Sequence, residues 1–309
     1  MIDRELNTLI VKLGATGDVV RTTPLLRRLP GRVTWLTAAK NSVLLEGLHK
    51  NMRSFSWEDR VRLLDTDYDL VINLEDTLEI AQFVKGVRRL GVFGAFADSD
   101  NRLRYTENSS RWFDLSLISS YGRQNADRLK FQNRQTYQEL IFNGLGLQFR
   151  AERYLLPQPL ETGLFGDVAI AADSGAVWPM KKWAYYHELK RELEKHGLTV
   201  NVLPQRSSLL EHLADVGNHL CLVGGDSLPM HLALGLGRPC VTLFTCTSPW
   251  EIYDYGIQTK IVSPLLQEFF YKRDYDKRAT MAISIDEVLG AVTAKLNVAI
   301  AASGPITAI

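Results

Sequence analysis

Asp18 stands in Leu13-Gly14-Ala15-Thr16-Gly17-Asp18, just after a short β-branched run and just before an amphipathic stretch. A carboxylate at such a strand-to-helix turn can accept amide hydrogens as a helix N-cap, or it can take a proton from a hydroxyl as a general base. Both readings fit the local pattern. Gly14 and Gly17 let backbone approach a ligand, and with Thr16 they form a candidate substrate-binding lip. The loop lacks the glycine and lysine spacing of a Walker A loop and of G-x-G-x-x-G.

Three further loops carry residues suited to an anionic ligand. In Gly224-Gly225-Asp226-Ser227-Leu228-Pro229-Met230-His231 the amides of 226–228 open a helix, so its positive end can hold a phosphate group. The alternative is an ordinary capped helix with His231 in the core. In Asp173-Ser174-Gly175 and the following Lys181-Lys182-Trp183, a hydroxyl and two lysines can reach the same phosphates, or the lysines simply start a solvated helix. Thr245-Cys246-Thr247-Ser248-Pro249 is a hydroxyl-rich turn in which Thr247 is a candidate substrate contact.

The elements that must position these loops follow from periodicity. Short apolar runs alternate with amphipathic stretches along the whole chain, the pattern of parallel strands joined by crossover helices, so the expected class is α/β. Strands are predicted at 8–13, 32–37, 69–74 and 87–91, then at 167–171, 198–203, 219–223, 239–244 and 260–262. Helices are predicted at 18–29, 40–49 and 77–85, then at 182–196, 208–216, 228–236 and 285–298, with Thr23-Pro24 bending the first of them. The segments 97–111 and 121–130 read as loops that shape an acceptor pocket, although their arginines, Arg111 and Arg128 among them, suit a solvated surface equally well. Tyr154 to Gly163, with Pro157 and Pro159, interrupts both periodicities. It separates an expected domain at 1–155 from one at 164–284, followed by a helix and tail at 285–309. In doubly wound sheets ligands sit beyond the C-terminal strand ends, which is where all four loops fall.

Composition excludes several classes. The 309 residues carry 36 Lys+Arg against 35 Asp+Glu, so there is no basic footprint for nucleic acid. Three cysteines without a C-x-x-C pair support neither a disulfide framework nor a zinc site built from thiolates alone. No signal-peptide pattern opens the chain, and no apolar run reaches the length of a membrane span. The expected location is the cytoplasm, with peripheral contact at the inner membrane surface the one membrane role open to it. Asp65-Thr66-Asp67-Tyr68-Asp69 looks like an Asp-x-Asp metal motif but precedes a strand, at the wrong end of a sheet, and so is not suitably placed for that role.

Four motifs in order, G-A-T-G-D-V-V-R-T-T-P-L-L-R-R-L from Gly14, K-x-W at Lys181, G-D-S-x-x-x-H-L-A from Gly225 and L-F-x-x-T-S-P from Leu243, resemble glycosyltransferase family 9, the lipopolysaccharide heptosyltransferases. The resemblance covers residues 8–255. It implies a GT-B fold of two Rossmann-like domains facing a central cleft, with acceptor on the first and nucleotide sugar on the second, and with the last helix crossing back towards the first. It implies an inverting, metal-independent glycosyltransferase that moves a heptose from ADP-heptose to lipopolysaccharide core, a protein or a small molecule. By carry-over Asp18 is the catalytic base, Lys181 contacts donor phosphate, and Asp226, Ser227, Leu228 and His231 hold the diphosphate, with Ser174 beside them. One departure stands out. The Glu that family members use to grip the adenosine ribose has no counterpart in register at 203–208, leaving Gln205 or Glu211 as substitutes and another nucleotide-sugar donor as the alternative. A non-catalytic nucleotide-sugar-binding protein and a paired-Rossmann dehydrogenase are rivals; the missing G-x-G-x-x-G counts against the latter.

Overall fold

A computed structural model describes residues 5–175 and 177–303. By its internal contacts the chain divides into two units, the first ending at Pro157 and the second beginning at Gln158. Pro157 and Pro159 flank the division, and each removes a backbone donor and keeps its predecessor out of the helical region.

The first unit contains β1 (Asn7–Val11), α1 (Thr16–Thr22), β2 (Arg32–Thr37), β3 (Met52–Ser56), β4 (Tyr68–Asn73), α2 (Leu78–Gly86), β5 (Arg89–Ala97), β6 (Leu103–Tyr105), α3 (Ser110–Phe113), α4 (Arg123–Gln132) and α5 (Tyr137–Gly144). Its sheet runs β3-β2-β1-β4-β5-β6, parallel except for the edge strand β6. The central strands β1 and β4 are apolar on both faces because both are covered. Ile10, Ile72 and Phe93 pack against Ile141 and Phe142 of α5, while Leu9, Val11 and Val71 pack against Ile80 and Val84 of α2. The order is doubly wound, and it reverses between β1 and β4. That reversal places the loop after β1 beside the loop after β4.

The second unit contains β7 (Gly166–Ala171), α6 (Tyr186–Lys195), β8 (Val200–Val202), α7 (Leu209–Gly217), β9 (His219–Gly225), α8 (Leu228–Leu236), β10 (Cys240–Phe244), β11 (Gln258–Val262), α9 (Leu266–Phe269), α10 (Lys277–Met281) and α11 (Ile285–Ser303). All five strands are parallel, in the order β11-β10-β9-β7-β8, with the reversal between β7 and β9. Val168, Ile170, Val223 and Leu243 form one core face under Leu189 and Leu193 of α6 and Val288, Val292 and Leu296 of α11. The buried face of α11 thus belongs to this unit's own core. On α8, Met230 to Leu234 are all buried, and Gly237 ends the helix in the left-handed conformation. Gly224 is required by close packing, since a Cβ there would lie 2.9 Å from that of Ala171 on the neighbouring strand.

The structure departs from the predicted elements mainly in the first unit. Instead of one helix over 40–49 there is a 3-10 segment Ala39–Leu44, followed by β3. In β3 only Met52 and Phe55 are apolar, so pairing with β2 rather than its own pattern makes it a strand. The segments read as loops hold β6, α3 and α4; α4 buries only Ala126, too narrow a stripe for periodicity to reveal. The bend at Thr23-Pro24 takes the form of a 3-10 segment Thr23–Arg27 after α1. No helix among the described residues is long and apolar enough to cross a membrane.

Candidate active site

At the strand reversal of the first unit, β1 runs into Lys12 and β4 into Glu75. The helix α1 begins at Thr16 with Ala15 as N-cap, and that cap receives no side-chain bond. Asp18 is therefore the third helical residue and not a cap, which removes the capping alternative. Its carboxylate lies 2.9 Å from Arg21 Nε, one turn along, and 3.8 Å from Lys12 Nζ. Lys12 Nζ is in turn 3.0 Å from Glu75 Oε1, which also accepts the amides of Leu13 (2.7 Å) and Gly14 (3.2 Å). The Arg21 guanidinium sits 4.1 Å above the centre of the Tyr137 ring, and the Tyr137 hydroxyl meets Thr22 Oγ1 at 2.6 Å.

Burial alone would lower the Lys12 ammonium, but the Glu75 and Asp18 carboxylates outweigh it and hold the group charged well above the usual lysine range. The Asp18 side chain is 31% exposed, against 8% for Lys12, 11% for Arg21 and 13% for Glu75. Asp18 is thus the member of the cluster most open to an entering hydroxyl. Thr16 donates to Asn41 Oδ1 at 2.8 Å, and Asn41 donates to the Leu13 carbonyl at 2.6 Å, so this threonine ties the loop to the 39–44 segment. Neither Gly14 nor Gly17 uses a left-handed φ, and a Cβ on Gly14 would meet nothing within 4 Å. The loop is open at Gly14 and does not depend on a left-handed glycine.

In the second unit a cavity of about 370 Å³ lies at the reversal between β7 and β9. Ser174, Gln205, Arg206, His212, Ser227 and Leu228 are among its lining residues. Ser227 is the N-cap of α8, with its hydroxyl turned 3.4 Å from the Gly225 carbonyl, and Leu228 opens the helix. Lys181 ends a 3-10 turn, Pro179–Lys181, and its ammonium donates to Asp226 Oδ2 (3.1 Å) and to the Asp226 carbonyl (2.5 Å). Gly225 lets this happen: a Cβ there would lie 3.0 Å from the Lys181 carbonyl oxygen. His231 is one turn into α8 and buried, outside the cavity lining. Thr247 follows β10, and its hydroxyl, like that of Ser248, is buried without a hydrogen-bond partner. Lys260 braces this loop by donating to the carbonyls of Pro249 (2.8 Å) and Ile252 (2.5 Å).

Each unit thus gathers part of the expected site, Gly14, Thr16, Gly17 and Asp18 in the first and Ser174, Lys181, Asp226, Ser227 and Leu228 in the second. Of the two substitutes for the ribose Glu, Gln205 lines the cavity. Glu211 does not, because it completes a capping box with Ser208 at the start of α7. Arg206 is held by Asp215 in a two-bond pair (2.6 and 2.9 Å), with Thr162 donating to the same carboxylate. Burial would raise Asp215, yet Arg206 and Thr162 outweigh it and hold the acid below its usual range. Burial lowers His212, leaving it neutral at pH 7 beside the cavity.

Lys12, Arg21, Glu75 and Tyr137 are not evident from sequence. The available signal was position: Lys12 is the first charge after the apolar run of β1, and Glu75 the first after β4. The Asp-x-Asp look-alike lies at the start of β4, where Asp69 accepts the Asn7 amide at 2.8 Å and Arg88 pairs with Asp65 at 2.9 Å. Among the described residues no three His, Cys, Asp or Glu side chains come together to hold a metal ion. Cys221, Cys240 and Cys246 are free and buried, and burial pushes the Cys240 thiol up to about 12, which makes it a poor nucleophile.

Comparison with known proteins agrees with the fold. The model of glycosyltransferase family 9 (heptosyltransferase) matches residues 177–273. Lipopolysaccharide heptosyltransferase 1 of Pseudomonas aeruginosa is 25% identical over 310 aligned residues, covering 81% of this chain and 82% of that protein. Among solved structures, a family 9 glycosyl transferase from Veillonella parvula has a TM-score of 0.63 at 15% identity, covering 96% of this chain and 98% of the other. The E. coli heptosyltransferase WaaC with ADP has a TM-score of 0.60 at 17% identity, covering 94% and 100%. With the order of its motifs and the two doubly wound sheets, the matches lead to one conclusion: the chain is similar in sequence to glycosyltransferases of family 9 and shares the GT-B fold of their solved structures.

Proposed function

We propose that the chain moves a heptose from ADP-heptose to a hydroxyl of the lipopolysaccharide core, with inversion at the anomeric carbon and without a metal ion. Asp18 takes the proton of the acceptor hydroxyl as its oxygen bonds to the anomeric carbon. The bond from that carbon to the diphosphate oxygen breaks, and its electron pair leaves with ADP. Lys181 and the amides that open α8 receive the charge that develops on the diphosphate. Ser174 and Ser227 bind the same phosphates, His231 backs the helix start, and the buried hydroxyl of Thr247 contacts the sugar. The cavity beside Gln205 and His212 takes the nucleoside. Gly14, Thr16 and Gly17 border the acceptor, and a second cavity of about 470 Å³ in the first unit, with Arg111, Arg128 and Asn125 beside Leu115 and Leu129, takes its anionic and apolar parts. A lipid-borne acceptor would bring the protein to the inner membrane surface as a peripheral visitor.

The observation that carries this reading is the placement of a half-exposed carboxylate at the strand reversal of one sheet and of a lysine with a helix N-terminus at that of the other. The relatives named for heptosyl transfer, one of them solved with ADP, supply the donor class. Another nucleotide donor is the second reading, favoured by the engagement of Glu211 in capping. One assay separates them: the protein is incubated with a panel of nucleotide sugars in EDTA, and the released nucleoside diphosphate is measured with lipopolysaccharide core acceptors. ADP-heptose is expected to give turnover without metal. Turnover with a different donor alone would replace the first reading by the second, and no turnover with any donor would leave a binding protein.

A further inference from the structure

We propose that Glu75 is a positioning residue that sets the proton affinity of Asp18 by taking up the charge of Lys12. The inference rests on Asp18 acting as the general base. One buried ammonium stands between two carboxylates, 3.0 Å from Glu75 and 3.8 Å from Asp18. Glu75 Oε1 is pinned by the amides of Leu13 and Gly14, and Lys12 is steadied on its other side by the Leu74 carbonyl at 3.5 Å. The groups of the first unit facing Asp18 include Lys12 at the end of β1, Arg21 on α1 and the phenol of Tyr137 on α5, with Glu75 after β4 behind Lys12.

The electrostatic consequence follows directly. A carboxylate beside two cations loses basicity, and each opposite charge within about 4–6 Å lowers an acid by about 1–3 pH units. Arg21 cannot give up its charge, and it holds the carboxylate in place. Lys12 in contact with Glu75 is close to a neutral pair, so it adds little to the positive field at Asp18. A base must stay ionised at working pH yet be basic enough to draw a proton from a sugar hydroxyl, and the paired lysine favours the second requirement.

The test is the pH profile of kcat/KM, read beside the affinity for ADP. Glu75→Gln keeps an oxygen acceptor for the two amides but uncovers Lys12, so the acid limb is expected to move to lower pH and the plateau to fall. Lys12→Gln removes the cation, so the limb is expected to move to higher pH. The double variant is expected near the wild-type limb, and Lys12→Arg is expected to leave it in place. ADP affinity, a property of the second unit, stays unchanged throughout. Limbs that stay put, or move in the same direction in both single variants, would overturn the inference. If Glu75→Gln does not fold, the contrast between Lys12→Gln and Lys12→Arg decides alone. Asp18→Asn separates the two levels: if it retains transfer, the base reading itself has failed; if it loses transfer while the limbs do not move, only the role of Glu75 has.

Discussion

At the scale of single residues, the site depends on charges held by other charges. Asp18 is kept in one orientation by Arg21 and Lys12, so Asp18→Asn is expected to retain fold and ADP affinity while transfer falls about 10²–10⁴-fold, the usual worth of a general base. Single-turnover rates with calorimetric ADP binding check both halves of that statement. Lys181 is tied to the carboxylate and carbonyl of Asp226, so a donor diphosphate bound there, as proposed, would compete with an existing partner for the same ammonium. Lys181→Ala is expected to weaken ADP binding by about 10- to 100-fold, as loss of a charge-assisted hydrogen bond worth about 1.5–3 kcal/mol implies, and to lower turnover as well. Asp18 and Lys181 are legible in sequence because each sits in a short glycine- or proline-marked loop. Glu75 is not, because it lies 62 residues from the amide it holds and nothing local marks it.

At the scale of elements, strand spacing and helix starts set the shape of each loop. The contact between Gly224 and Ala171 fixes how closely β7 and β9 approach at their C-terminal ends. Gly224→Ala is expected to destabilise the second unit by about 1–3 kcal/mol through overpacking, measurable by urea unfolding followed at its tryptophans. At the other end of β9, buried His219 meets the Asp215 carbonyl through Nδ1 (2.6 Å) and Asn201 Nδ2 through Nε2 (3.0 Å). This pairing suits a neutral ring that donates at Nδ1 and accepts at Nε2. Burial lowers His219, as it lowers His212, below the ordinary histidine value of 6.5. The unfolded chain therefore binds the proton more readily, so this contribution is complete above about pH 6.5 and is lost as pH falls below it. The thermal midpoint is expected to drop between pH 7 and 5, with a smaller drop in His219→Gln. Protection from Asp215, held low by Arg206, disappears only at more acidic pH.

At the scale of the whole molecule, each unit has its own doubly wound sheet and its own buried core. Units of this kind can fold independently. Residues 158–309 expressed alone are expected to bind ADP within a few-fold of the intact chain, by isothermal calorimetry, and to catalyse no transfer, since Asp18 lies in the other unit. Equal affinity would locate the nucleotide site in the second unit; loss of binding by a folded fragment would show that residues before 158 complete it.

The alternation of apolar runs and amphipathic stretches, the proline-marked division near 157 and the loops that carry Asp18 and Asp226 were all readable in sequence, because each is a property of a few consecutive residues. Weakly patterned elements such as β3 and α4 were not, since pairing and packing with distant neighbours stabilise them. Only the tertiary structure decided that β4 lies against β1 and so brings Glu75 to Lys12 and Asp18. It also decided that Glu211 serves a helix cap and that Arg206 is committed to Asp215. The reason is physical: local sequence limits what a segment can become, whereas burial shared across the whole chain chooses strand order, and strand order determines which distant charges meet.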